Sequence, residues 1–482
     1  MVPEHLELLA ELTGELSELF ERRGRSLYLV GGSVRDAIVR RDKIADCDLD
    51  LTTDALPSET QELLAGWADD LWLVGKELGT VSCSHRGRKY EITTHRKEVY
   101  HPGSRRPVVA FGSSITEDLA RRDFTVNAMA LRLPDFELID PFQGVGDLAA
   151  GRLRTPLEPE VAFDEDPLRM MRAARFIADL DLDPDPSVTK AVEQGRDRLT
   201  IVSAERIRDE LDKLLVVRDP SAGLWYLVRT GLAAKILPEL PALALEQDPV
   251  HRHKDVLAHT VEVVSKTRPD RLLRLAALLH DIGKPRTRAF DSTGVSFHHH
   301  DVVGAKMARD RMKALRYPTS DISIVSRLVE LHLRFHTYRM GWSDSAVRRY
   351  VRDAGPLLGR LNELTRCDCT TRNPERARAL GVRMDELERR VAELEERERL
   401  DAIRADLDGD QVMARLGIPP GALVGEALAF LLELRLDEGP LGEAEAYERL
   451  DEWWARRSDV PSGAQGAQRR AEGGGRPSPG GI

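Results

Sequence analysis

The chain has 482 residues, 41% of them hydrophobic and 32% charged, with a formal net charge of −10. At roughly 100–200 residues per domain this predicts two to four domains with real cores, and it excludes a wholly disordered chain. No apolar run reaches the roughly 18 residues that span a membrane, and the acidic, amphipathic start lacks the regions of a secretory signal. The four cysteines (Cys47, Cys83, Cys367, Cys369) form no CxxC pair. A disulfide framework or a cysteine zinc site is therefore not expected, and a reducing cytoplasm is. The acidic average argues mildly against nucleic-acid binding, but residues 86–106 hold Arg86, Arg88, Lys89, Arg96, Lys97, Arg105 and Arg106 against Glu91 and Glu98. A local basic face is compatible with an acidic whole.

Leu6, Leu9, Leu12, Leu16 and Phe20 recur at helical spacing and predict an opening amphipathic helix. SLYLV (26–30) reads as a strand that enters a tight turn at Gly31 and Gly32, and SVRDAIVRR as a helix whose start Ser33 is placed to cap. DCDLDLTT (46–53) alternates with period two, a strand pattern. Further strands are predicted at 71–75, 79–85, 89–95 and 130–133, giving a mixed α/β domain. From 164 to about 245 the pattern is helical with a break at 181–187, and from 250 to about 370 it is helical and histidine-rich. Met384, Leu387, Val391 and Leu394 predict a narrow apolar seam on one long helix within 375–406. The Gly/Pro/Ser-rich end from about 459 is expected to be disordered. The domain boundaries expected are 1–150, 151–245, 246–372, 373–457 and a tail at 458–482.

Chemistry concentrates first in LVGGSVRDAIVRRDKIADCDLDLTT (29–53). A strand, two glycines and a helix start let the backbone approach an anion, with free N–H groups at the helix end. Arg35 lies one turn into that helix, in reach of a triphosphate. Asp48 and Asp50 stand at i and i+2 on the next strand, so both carboxylates project from one face. Paired carboxylates are costly unless cations sit between them, and oxygen ligands of this kind suit Mg²⁺. That is the donor set of two-metal phosphoryl or nucleotidyl transfer. Farther on, Asp166, Arg169, Arg172 and Arg175 fall three apart, on one helical face. An Asp accepts and an Arg donates in a fixed fork, so such a pair can read the edge of a base.

GGSVRD followed by DCDLD resembles the signature of the nucleotidyltransferase superfamily related to DNA polymerase beta. DLARRDFTVNAMAL (118–131), DPFQGVGDL (140–148), FDEDPLRMMRAARFIADL (163–180) and SAERIRDEL (203–211) narrow the likeness to class II tRNA nucleotidyltransferases (CCA-adding enzymes) and bacterial poly(A) polymerases. The resemblance implies an α/β nucleotidyltransferase head with a polymerase-beta-like mixed sheet, followed by an all-α neck, an HD-type helical body and a helical tail. It implies that Asp48 and Asp50 are catalytic and hold Mg²⁺. It implies that Gly32, Arg35, Arg122, Asp166, Arg169, Arg172 and Arg175 bind nucleotide, Asp166 and Arg169 by selecting CTP and ATP. Asp123 is expected to orient local arginines, and Glu91 is a candidate third carboxylate.

A second constellation follows. His259, His280 and Asp281 (in LAALLHDIGKP), His300, His332 and Asp368 resemble the HD metal-dependent phosphohydrolases. The resemblance assigns His259, His280, Asp281 and Asp368 as ligands of a divalent metal, with His300 and His332 matching sites that hold a second. Imidazole and carboxylate together suit Mn, Fe, Ni, Zn or Mg, and the sequence does not choose. His251, His253, His298 and His299 are left as non-ligating. LDGDQVMARLGIPPGALVGEALAFLLEL (407–434) is similar to the family's C-terminal RNA-contacting motif, with Gly409, Gly421 and Gly425 expected at helix ends.

The function expected is addition of CCA to tRNA 3′ ends from CTP and ATP in the cytoplasm, with tRNA as partner. Phosphohydrolase activity on RNA ends would reside in the HD region. The alternatives are a poly(A) polymerase, a CC-adding or A-adding enzyme, a metal-dependent phosphohydrolase with a non-catalytic RNA-binding head, and a non-catalytic RNA chaperone.

Overall fold

A computed structural model describes residues 3–39, 49–74, 79–99, 108–112, 114–245, 255–291, 294–337, 342–369, 374–398 and 403–457. Two compact units divide the chain, residues 1–300 with 306–323, and residues 301–305 with 324–482.

The first unit opens with helix α1 (Pro3–Arg22), strand β1 (Leu27–Val30), helix α2 (Gly32–Ile38) and strand β2 (Leu49–Thr53). Helix α3 (Pro57–Leu64) leads to strands β3 (Asp70–Val74), β4 (Thr80–His85), β5 (Arg88–Thr94), β6 (Arg96–Val99) and β7 (Val108–Phe111). Helix α4 (Ile115–Ala120), strands β8 (Ala130–Leu133) and β9 (Glu137–Ile139), and helix α5 (Gly144–Ala149) complete the head. The main sheet runs β3-β4-β5-β2-β1-β8-β9, mixed because β2 and β5 pair in parallel while the other neighbours are antiparallel. β6 and β7 form a separate hairpin.

Strand alternation sorts the side chains. Leu27 and Leu29 of β1, Leu49 and Leu51 of β2, and Tyr90 and Ile92 of β5 join Leu9, Leu16 and Phe20 of α1 in one core. The predicted apolar stripe of α1 is thus the lid of that core, each fully buried Leu or Phe contributing about 1.5–3 kcal/mol. Val30, Leu119, Ala128 and Ala130 pack on the opposite face, so β1 is buried on both sides. Asp50, between Leu49 and Leu51, faces away from the first core and is exposed.

Two expectations change here. The helix cap at the glycine turn is Gly31, not Ser33, and no side chain caps it. Gly31 holds φ 70° and ψ −133°, so the helix begins two residues earlier than a Ser33 cap requires, and Ser33 is buried inside α2. The predicted continuous helix through 163–180 is two helices, α6 (Pro159–Glu165) and α7 (Arg169–Leu180). Pro167 disfavours helical geometry at the residue before it, and Asp166 is accordingly extended at φ −137° and ψ 98°.

The body of the first unit packs the neck helix Ala204–Leu215 against helix Arg271–Leu279, which in turn packs on helix Val256–Lys266. Arg274, almost wholly buried, ties them: its guanidinium donates to the carbonyls of Thr267, Leu215, Val217 and Arg218. Strands Arg288–Asp291 and Gly294–Phe297 form a hairpin where a purely helical stretch is expected.

The second unit is helical. The long helix Pro374–Glu398 buries Met384, Leu387 and Leu394 of the predicted seam, with Val391 half-buried. Arg348 donates to Glu398 at 2.8 Å and anchors it to helix Asp344–Ala354. A last core joins Leu407, Val412, Leu416, Ala427, Leu431 and Leu450. Gly409 opens helix Gly409–Leu416 and Gly421 caps helix Ala422–Glu438. Gly425, expected at a helix end, lies inside that helix, its N–H already bonded to the carbonyl of Gly421. Among the described residues no helix is long and apolar enough to cross a membrane. The Gly/Pro/Ser-rich end and His251 and His253 lie outside the described residues.

Candidate active site and metal centre

The β1–α2 turn is built for close approach. A Cβ at Gly31 would lie 3.1 Å from Arg122 Nη1 and 3.9 Å from Asp50 Oδ2. The turn that opens α2 therefore has a cation on one side and a carboxylate beside it. Asp48 lies outside the described residues. Glu91 pairs in register with Asp50 across β2 and β5, and so shares its face. Its Oε1 accepts from Lys89 Nζ at 2.5 Å, which competes with metal ligation. Carboxylate oxygens on a rigid strand are a donor set that suits a hard divalent cation, and Asp50 is exposed to receive one.

Buried carboxylates organise the surrounding arginines. Arg35, beside Gly32, donates from Nη1 to Asn127 Oδ1 at 2.7 Å and from Nε to Asp36 at 2.9 Å. Asn127 Nδ2 in turn donates to Asp123 Oδ1, whose other oxygen accepts from Arg172 Nε at 2.7 Å. Burial pushes the Asp123 carboxyl up, but Arg172, Asn127 and the Phe124 N–H outweigh it and hold it at about 2. Asp123 thus orients arginines as expected. Arg175 pairs with buried Glu210 of the neck and lies over the Phe176 ring, 4.2 Å from its centroid.

The two side chains expected to select the base are already engaged. Asp166 accepts from the Leu168 N–H and from Arg206 Nη2 at 2.7 Å. Arg169 is buried and donates to the carbonyls of Ala162 and Arg121 and to Glu165 Oε2 at 3.2 Å. The SAERIRDEL segment therefore supplies partners, Arg206 and Glu210, to both ends of the EDPLRMMRAAR segment. Spacing alone could not reveal the contacts of Asn127 with Arg35 or of Glu210 with Arg175, because they are tertiary, whereas Asp118 meets Arg121 and Arg122 at i+3 and i+4.

In the body, His259 sits on helix Val256–Lys266, His280 and Asp281 follow helix Arg271–Leu279, and His300 opens helix His300–Ala314. Their side chains converge. Asp281 Oδ2 lies 3.6 Å from His259 Nε2 and 3.2 Å from His280 Nε2, and Oδ1 lies 3.4 Å from His300 Nε2. His280 Nδ1 faces the Ala277 carbonyl and His300 Nδ1 the Phe297 carbonyl, each at 2.7 Å. A proton on Nδ1 satisfies those carbonyls and leaves each Nε2 lone pair directed inward, the second-shell arrangement of a metal-binding histidine. Lys284 Nζ, which sequence reasoning did not single out, donates to Asp281 Oδ2 at 2.6 Å. Burial works to raise the Asp281 carboxyl, but His280, Lys284 and His300 hold it well below the usual range. Imidazole nitrogens around a buried, ionised carboxylate fit a divalent cation. In the second unit His332 is buried with Nδ1 2.6 Å from the Val329 carbonyl, and Asp368 ends helix Leu358–Asp368.

Three family models match the chain. The poly A polymerase head domain matches residues 27–154, the probable RNA and SrmB-binding site of polymerase A matches 181–243, and the HD domain matches 254–394. The A-adding tRNA nucleotidyltransferase of Deinococcus radiodurans is 36% identical over 442 residues, covering 89% of this chain and 95% of that protein. The chain belongs to the tRNA nucleotidyltransferase family. A CCA-adding enzyme of Limosilactobacillus reuteri is 43% identical over 213 residues, 44% of this chain and 51% of that enzyme, so this second match spans about half the relative. The crystal structure of Bacillus stearothermophilus CCA-adding enzyme in complex with CTP superposes with TM-score 0.69 at 26% identity, covering 94% of this chain and 98% of that one. Thermotoga maritima CCA-adding enzyme complexed with tRNA shares the fold at TM-score 0.58 and 19% identity, covering 94% and 96%. The family's polymerase head and HD domain imply dependence on divalent metal ions.

Proposed function

We propose that this chain adds CCA to tRNA 3′ ends, using CTP and ATP, in the cytoplasm. The observation that supports it most is the glycine turn at Gly31, flanked by Asp50 and Arg122, in a chain of this family. The 3′-oxygen of tRNA forms a bond to the α-phosphorus of the nucleotide, the α–β bridging bond breaks, pyrophosphate leaves, and the hydroxyl proton passes to solvent. Mg²⁺ held by Asp48 and Asp50 would activate the hydroxyl and neutralise the departing pyrophosphate. The N–H of Gly32 with Arg35 and Arg122 receives the triphosphate, and Asp166 and Arg169 select the base. Because both are engaged, selection proceeds by exchange: the base edge replaces Arg206 at Asp166 and Glu165 at Arg169. Arg172 and Arg175, each anchored to a buried carboxylate, hold the α7 face toward the nucleotide.

In the helical body of the first unit, His259, His280 and Asp281 would hold a divalent metal whose chemistry would be to polarise a phosphate and supply hydroxide, giving phosphohydrolase activity on RNA ends. The head is assigned to 1–150, the neck to 151–245, the HD region to 246–372 and an RNA-binding helical tail to 373–457.

A second reading, addition of the terminal A alone, is favoured by the likeness to the Deinococcus A-adding enzyme over nearly its whole length. Three tRNA substrates separate the readings, one ending at the discriminator base, one at the first C and one at CC. A CCA-adding enzyme extends all three when given CTP and ATP. An A-adding enzyme extends only the last, with ATP. Long tails on any RNA with ATP alone indicate a poly(A) polymerase.

A further inference from the structure

Asp118 is a carboxylate with no solvent exposure, on the short helix α4 that precedes the RRDF segment. Burying a carboxylate costs several kcal/mol unless it is well paired. Asp118 is paired twice. Oδ1 accepts from Arg121 Nε at 3.1 Å and Nη2 at 2.9 Å, and Oδ2 accepts from Arg122 Nη2 at 3.4 Å. Burial tends to raise its pKa, but Arg122 and Arg121 lower it below the ordinary value, so the group is ionised at neutral pH.

The pairing is asymmetric. Arg121 donates two short bonds to one oxygen and is the satisfied partner. Arg122 donates a single longer one. Its Nε is buried and has no acceptor among the described residues, and its Nη1 lies 3.1 Å from the point a Cβ would occupy on Gly31. One carboxylate and two guanidinium groups leave a surplus positive charge, and geometry places that surplus on the arginine that faces the glycine turn. A structural ion pair needs one arginine; this one holds a second arginine by one edge and leaves donors free toward an anion site.

We infer that Asp118 is a positioning residue that holds Arg122 over the Gly31 turn, preset for the phosphates of a nucleoside triphosphate. Arg121 completes the device. Its side chain fixes Asp118, and its own backbone carbonyl accepts from Arg169 Nη2. The arginine facing the triphosphate and the arginine proposed to read the base are thereby referenced to the same two residues. Preorganisation of this kind lowers the ordering cost when the anion binds. The inference rests on the nucleotidyl-transfer reading above.

The test compares wild type with Asp118→Asn, which keeps the shape and removes the charge, in steady-state incorporation of CMP and AMP into tRNA. The expected result is a rise of about tenfold in KM for the nucleotide with kcat within threefold, the pattern of lost ground-state binding. Asp118→Asn leaves two guanidinium groups without a counter-charge, and so can fail to fold. The double variant Asp118→Asn, Arg121→Met restores the charge count, and its KM is expected to stay raised although its thermal midpoint recovers. A merely structural role lowers kcat with the folded fraction and leaves KM unchanged. Asp147→Asn, an equally buried carboxylate paired with Arg152 and Arg154, is the comparison for that case. A wild type that turns over while both Asp118 variants keep its KM overturns the inference alone. A wild type that incorporates neither nucleotide overturns the underlying reading, and the inference with it.

Discussion

Replacing Gly31 with alanine tests the phosphate cradle at its narrowest point. The backbone there, φ 70° and ψ −133°, lies where only glycine is comfortable. Holding another residue in such a region costs about 1–3 kcal/mol. A new Cβ also meets Arg122 Nη1 at 3.1 Å and must push it aside, whereas Asp50 Oδ2 at 3.9 Å is in ordinary contact. The lower unfolded-state entropy of alanine returns about 0.4–1 kcal/mol, so the net destabilisation is about 1–2 kcal/mol. Catalysis suffers more. Displacing a phosphate-facing group by an ångström can cost about 10²-fold, equivalent to about 2.7 kcal/mol in the barrier. Gly32→Ala is the sharp comparison. Gly32 starts α2 without a positive φ, and its nearest neighbour, Arg35 Nη2, would be 3.6 Å from the new carbon. Its backbone N–H survives the change, so the loss there is expected to stay under about tenfold. The assay is single-turnover nucleotide incorporation into tRNA, paired with urea unfolding of each variant. Near-normal incorporation by Gly31→Ala, or an equal loss in Gly32→Ala, would refute the assignment of this turn as the cradle.

Asp123 gives the head a defined acid sensitivity. Its folded pKa of about 2 lies below the ordinary 3.8, so its stabilisation is present above pH 4 and is lost as pH falls from about 4 through 2. The gap is worth about 2 kcal/mol, and urea midpoints of Asp123→Asn should be lower but flatter over that window; an unchanged slope would remove Asp123 from the account. Arg274→Met strands the carbonyls of Thr267, Leu215, Val217 and Arg218 in the interior. At about 1–3 kcal/mol for each carbonyl that water cannot reach, a loss of at least 3 kcal/mol is expected in denaturant titrations, and a loss under 1 kcal/mol would mean that the carbonyls find other donors. In the helical body, Asp281→Ala should abolish bound transition metal, measured by elemental analysis after dialysis, and leave CMP and AMP incorporation within about twofold of wild type; metal retained at wild-type stoichiometry would show that Asp281 is not a ligand.

What the sequence made legible is what local geometry dictates. The stripe on α1, the strand–glycine–helix turn and the Met384 seam each follow from a period or from a residue that only one backbone tolerates. The turn itself was visible, but the need for glycine lies at Gly31 rather than Gly32, which only φ reveals. The arginine ladder from Arg169 to Arg175 was readable as a helical face. Its partners were not, since Asp123 and Glu210 come from elsewhere in the chain, and spacing says nothing about tertiary neighbours. Pro167 marks the break at Asp166, but the charged and apolar positions on either side keep helical phase and mask it in the periodicity. The β6–β7 hairpin lies in a stretch whose dense basic residues obscure its alternation. Lys284 stood in plain view in HDIGKP, but its contact with Asp281 depends on the turn after His280, which composition does not specify.

The central claim is that Asp50 lies at a catalytic centre beside the glycine turn. The most direct measurement is the single-turnover rate of nucleotide incorporation by Asp50→Asn, at saturating nucleotide and Mg²⁺, with thermal unfolding recorded on the same preparation. Asp50 is exposed, so the substitution should leave the unfolding midpoint within a degree or two while incorporation falls by about 10³-fold or more. A folded Asp50→Asn protein that still extends tRNA at a rate near that of wild type would contradict the account.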